Sequence, residues 1–152
     1  MNPKLRRGVV SLKSERELKV EWLSRSKPLR LRLIGLKAER QERLSRADYA
    51  GISHNDAHGG GGNGTEGKYL ALVETEAELN AIQKELDRVE AEIRAAIEQV
   101  RNPLYQMYLR MRFLAYKTER QIAKETGYKF KYIDTHIRPK AIDSVKMGGN
   151  EC

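Results

Sequence analysis

The sequence predicts an all-α protein: a long antiparallel helical hairpin resembling a coiled-coil arm, followed by a small helical bundle. Three observations carry this. Charged residues make up 33% of the 152-residue chain and hydrophobic ones only 39%, a balance that suits helices with narrow apolar stripes. Apolar residues recur at heptad spacing through residues 72–100, and no long run alternates apolar and polar as a half-buried strand would. Capping signals mark helix starts near residues 102 and 118.

The arm comes first. Residues 1–50 hold 14 Lys+Arg against 6 Asp+Glu, a net of +8. Leu18, Trp22, Leu29, Leu33, Leu36, Leu44 and Ala47 fall mostly three or four residues apart, as on one helical face. Pro28 either starts a helix or kinks one. Residues 51–67 follow, and seven of the seventeen are glycine, so they are expected to act as a flexible linker. His54, Asp56 and His58 lie in that linker; a closed metal site needs more ligands on a stiffer scaffold, so no metal is assigned. Residues 68–101 form the acidic partner. Leu72, Leu79, Leu86, Ile93 and Val100 occupy one seam position, and Thr75, Ile82, Val89 and Ala96 the other, with Glu78, Glu85 and Glu92 alongside. The segment from 68 to 100 has 4 basic and 8 acidic residues. Opposite charge favours folding back onto the basic helix; the competing arrangement is a homo-oligomer through the heptad helix itself.

The remainder, 102–146 with a tail at 147–152, is basic again: residues 101–152 have 11 Lys+Arg against 5 Asp+Glu, a net of +6. Asn102 is suited to cap a helix and Pro103 to its first position. Leu104, Met107, Met111 and Leu114 form one apolar stripe, and Tyr105, Leu109 and Phe113 another, as expected of a buried central helix. Thr118 and Gln121 form a capping box, and Gly127 supplies the left-handed backbone that ends the next helix. A small residue at Ala123, glycine four later and a branched apolar residue at Ile133 meet the spacing of a helix-turn-helix. The second helix then presents Lys129, Lys131, Asp134, Thr135 and Arg138. Lys129 and Lys131 suit phosphates, and Thr135 and Arg138 suit base edges. Phe130 is placed to touch a thymine methyl or to pack against Tyr132 or the first helix. Lys117, Arg120 and Lys124 suit the flanking backbone. His136 is expected to be partly packed.

On these residues, 102–141 resembles the promoter-reading C-terminal domain of bacterial sigma factors. It is more similar still to small sigma-like late-gene transcription regulators of phages of Gram-positive bacteria. Asn102, Pro103 and Tyr105 match the opening of their pattern, and Arg112, Phe113, Lys117 and Thr118 its middle. Ile122, Ala123, Gly127 and Tyr128 match its turn. The family also tends to have a two-helix arm and a variable linker upstream. The resemblance implies binding of double-stranded DNA, regulation of transcription and contact with host RNA polymerase, in a bacterial cytoplasm. The chain departs from the pattern in three places. Lys129 stands where a capping serine is usual, and Glu119 where an aromatic is common. His136, Ile137 and Arg138 shift a common His-Arg pair by one residue, and Pro139 is expected to end that helix early.

Other classes are less well matched. No nucleophile, paired carboxylates or metal cluster is arranged for chemistry, so neither an enzyme nor a cofactor is expected. No membrane span or secretory leader is read, and Cys152 is the lone cysteine, as fits a reducing cytoplasm. Two alternatives stay open: the small subunit of a phage DNA-packaging terminase, and a coiled-coil adaptor that binds another protein.

Overall fold

The computed structural model describes residues 12–52 and 62–147; His54, Asp56, His58 and Cys152 lie outside them. Among the described residues the regular structure is entirely helical, as expected from the sequence. The helices are α1 (Glu15–Leu23), α2 (Ser26–Ile52), α3 (Gly62–Glu98), α4 (Pro103–Leu109), α5 (Glu119–Thr126), α6 (Phe130–Tyr132) and α7 (Arg138–Asp143). A π turn over Arg110–Leu114 extends α4, and another over Ile133–Ile137 joins α6 to α7. The chain divides into two compact units, Ser26–Val89 on one hand, and Met1–Arg25 with Glu90–Cys152 on the other.

In the first unit α2 and α3 run antiparallel. Leu33 and Leu36 are buried against Ile82 and Leu86, with Leu29 and Leu79 packed at the margins. Leu72, Thr75 and Val89 are buried too, so the heptad positions are the buried positions. Opposite charges meet at the edges: Arg32 donates to Glu78 at 3.0 Å and Arg40 to Glu76 at 3.0 Å. The seam is thus covered within the chain along this stretch. The glycine-rich segment also differs from expectation. Helix continues to Ile52 and resumes at Gly62, which narrows the proposed linker at both ends. Pro28 sits in the first turn of α2, where its missing N–H costs no helical hydrogen bond.

The second unit is a small bundle, and α1 belongs to it rather than to the arm. A capping box starts α1: the Ser14 hydroxyl accepts from the Glu17 N–H, and the Glu17 carboxylate from the Ser14 N–H. A turn at Ser24 and Arg25 then resets the helical phase before α2. Of the leucine stripe expected from residue 18 onward, Leu33 and Leu36 in α2 are buried and Trp22, Leu29 and Leu44 half-buried. In α1 Leu23 and Lys19 are the buried residues, while Leu18 is exposed. Helix α1 packs on α7. Arg16 grips the Asp143 carboxylate through two hydrogen bonds of 2.9 and 2.7 Å. Lys19 Nζ donates to the Asp143 carbonyl at 2.9 Å, placing a cation at the end of α7 where the helix dipole favours one.

The core of this unit is Leu23, Ile93, Ile97, Val100, Tyr108, Leu109, Phe113, Ile122, Ile133, Ile137, Ala141, Ile142 and Val145. Helix α4 starts as expected, with the Asn102 side chain accepting from the Leu104 N–H at 2.8 Å and Pro103 next. Of the two stripes read along it, Leu109 and Phe113 are buried. Tyr108, on neither stripe, is fully buried because α4 packs against α7. Tyr116 then takes a positive φ of 61°, which few non-glycine residues adopt. Its hydroxyl donates to Glu90 at 2.6 Å, and Arg112 donates to the next carbonyl, that of Lys117, at 3.2 Å. These bonds hold the chain reversal that leads into α5.

Candidate nucleic-acid interface

Helix α5, a left-handed turn and the short α6 follow the local signals read from the sequence. Thr118 caps α5: its hydroxyl accepts from the Gln121 N–H at 3.2 Å, and the Gln121 side chain accepts from the Thr118 N–H at 2.7 Å. Gly127 ends the helix with φ 84°, and its N–H donates to the Ala123 carbonyl at 2.9 Å. Ile122, Ile133 and Ile137 are buried beneath the turn. Lys129 occupies the cap position of α6 with extended backbone and makes no side-chain cap. Its ammonium has no acceptor role to play there, which leaves it exposed to solvent.

Pro139 does not end the helix. Proline removes one N–H, and its ring would press on the carbonyl four residues earlier. Here the preceding turn is widened to π geometry, with the Arg138 N–H donating to the Ile133 carbonyl, and helix continues through Asp143. The expected early stop is corrected, and Arg138 is helical.

The eight residues assigned to DNA separate into two groups. Lys124, Lys129 and Lys131 are exposed and have no ion-pair partner among the described residues. The other five are engaged within the chain. Lys117 pairs with Glu125 at 2.6 Å. Arg120 stacks over the Phe130 ring at 4.5 Å, so Phe130 is tied to the first helix. The Thr135 hydroxyl donates to the Lys131 carbonyl at 2.7 Å. Arg138 meets Glu119 at 3.2 Å, and the same carboxylate accepts from the Tyr108 hydroxyl at 2.6 Å. Burial, and then the bond to Glu119, raise the Tyr108 phenol well above its ordinary pKa, so it stays a donor at any physiological pH. Glu119, a departure from the sigma-like pattern, thus fills a structural role. It ties Arg138 to the start of α5, with the Arg138 side chain still 41% exposed.

What lies open on that face is aromatic. Tyr128 and Tyr132 are 41% and 43% exposed, and His136 is exposed as well, not packed as expected from sequence. Tyr128 stacks on Tyr132 with ring centres 5.8 Å apart, and Tyr132 meets His136 at 5.2 Å. The signal for this ridge is in the sequence: positions 128, 132 and 136 recur every four residues and so share a face. Exposed Asp134 lies off that line, since residues two apart do not face each other. Compared with family models, with curated proteins and with solved structures, the chain matches none.

Proposed function

We propose that the chain is a sequence-specific regulator of transcription that binds double-stranded DNA. Its type is sigma-like, phage-encoded and acting on late genes in the cytoplasm of a bacterial host, where it contacts RNA polymerase. One observation carries the reading. Helices α5 and α6 are joined through left-handed Gly127 over a buried floor of Ile122, Ile133 and Ile137, and Lys124, Lys129 and Lys131 are left exposed around the turn. That combination supplies what a major-groove module needs: a second helix held proud of the bundle, and unpaired cations to neutralise phosphates. The excess of 11 basic over 5 acidic residues in 101–152 acts in the same direction.

Among the described residues no helix is long and apolar enough to cross a membrane. The test is genome-wide mapping of DNA bound by the full chain in host cells. Enrichment at promoters, with RNA polymerase recovered alongside, is the expected result. Enrichment at a single packaging site would replace regulation with DNA packaging, and absence of salt-sensitive binding would remove DNA from the account.

A further inference from the structure

We infer that the ridge of Tyr128, Tyr132 and His136 is the base-reading element, and that it reads the 5-methyl groups of thymine in the major groove. The inference rests on the duplex-binding reading above and replaces the base readers expected from sequence. Those readers have partners within the chain: Arg138 pairs with Glu119, and the Thr135 hydroxyl donates to the Lys131 carbonyl. Phe130, the aromatic first matched to a thymine methyl, is covered by the Arg120 guanidinium. The ridge is held by no ion pair or guanidinium among the described residues, and its two tyrosines are each more than 40% exposed on the second helix and its turn.

The chemistry of the groove selects the ligand. Each base pair shows hydrogen-bonding groups there, and the thymine C5-methyl is the apolar group an aromatic ring can cover. The flanks carry the charge a duplex requires, with Lys129 and Lys131 on either side of Phe130 in sequence and exposed. Spacing sets the length of the site. Ring centres 5.8 and 5.2 Å apart let the three rings reach along at most about 11 Å. At 3.4 Å per base step this is about three to four base pairs. The inference therefore specifies a short thymine-bearing window inside a longer duplex contacted through phosphates.

The test separates methyl reading from every other contact. A site is selected from a random duplex library with the full chain, and each thymine in it is replaced singly by uracil, which removes the methyl and keeps the hydrogen-bonding pattern. Binding is measured at one fixed salt concentration. The expected result is a loss of about four-fold at each contacted thymine, the equivalent of one buried methyl-sized group. Sensitive positions should fall within one window of three to four base pairs. In Tyr132→Ala the sensitivity should vanish at one of them and persist at the others. Equal affinity for thymine and uracil duplexes throughout overturns the inference while leaving duplex binding intact. Tighter binding to the single strand than to the duplex also overturns it, in favour of stacking on unpaired bases. Failure to select any duplex would instead sink the functional reading on which it stands.

Discussion

The two units bury comparable helices by different means. In Ser26–Val89 the core is a straight repeat, where seam residues seven apart meet a leucine stripe and surface arginines meet surface glutamates. The other unit takes in only the end of that repeat, at Ile93, Ala96 and Val100. Its core gathers side chains from α1, the end of α3, α4, α5, α7 and both π turns, and its path relies on those π turns, a left-handed glycine and a positive φ at Tyr116. Regular periodicity makes a stiff helical pair from local rules alone. Irregular turns are costly, and they persist where the surrounding packing holds them. Two of them, left-handed Gly127 and the π turn over Ile133–Ile137, lie directly beside Tyr128, Lys129, Lys131 and Tyr132 in the chain. The contrast teaches that a repeat places its buried residues by local rule, whereas irregular turns depend on the packing around them.

The largest way to break the comparison is in the repeat. Leu86 is 4% exposed within the seam. Leu86→Asp removes a buried side chain and leaves a carboxylate without a partner, at a cost of about 4 kcal/mol or more. Thermal unfolding followed by circular dichroism should show a large loss of helix. Undiminished helicity would mean that the seam does not hold the arm.

Glycine sharpens the contrast, because the same substitution should act with opposite sign in the two units. A Cβ at either Gly35 or Gly127 meets nothing within 4 Å, so backbone conformation alone decides. Gly127 has φ 84°, and alanine there should cost about 1–2 kcal/mol. Gly35 lies inside α2, and alanine there should stabilise by roughly 0.5–1 kcal/mol. Chemical denaturation of both variants checks the pair.

Much of this was legible from residues close in sequence. The caps at Asn102 and Thr118 and the stop at Gly127 are local events, in which one side chain or one φ value answers a backbone group within four residues. The heptad seam is equally local in pattern, and its burial follows position by position. Ser14 and Glu17 carry the same signature as Thr118 and Gln121, so the start of α1 was open to the same reading. What the sequence leaves out is set by long-range packing. Leu23 and Lys19 are buried because α1 docks on α7, more than a hundred residues away in the chain. Arg138 is paired because Glu119, on a different helix, meets its guanidinium. The widened turn before Pro139 depends on Ile133 and Ile137 both reaching the core, which no propensity scale contains.

The docking of α1 predicts a pH effect. Asp143 is held below the ordinary carboxylate range, first by the hydrogen bond from Arg16. A carboxylate with a depressed folded-state pKa adds stability above its unfolded pKa of about 3.9, and that stability is lost as pH falls through the folded value. Unfolding followed by denaturant between pH 7 and pH 3 should therefore show a fall at the acid end that is smaller in Asp143→Asn. The smallest effect is expected at the edge of the repeat. Arg40 pairs with Glu76 on the surface, and Arg40→Ala should change stability by less than about 1 kcal/mol, a difference that added salt reduces.

The claim that the irregular unit is a duplex-binding surface is tested most directly by the salt dependence of its affinity. Lys129 and Lys131 are exposed at the start of the second helix. Binding of the full chain to a random-sequence duplex should weaken steeply with salt, and replacing both lysines by alanine should lower the slope of log affinity against log salt by up to about two. The loss should be uniform across sequences, since phosphates carry no base identity. A slope unchanged by the double substitution, with affinity also unchanged, would contradict the account and place the partner of this protein elsewhere on its surface.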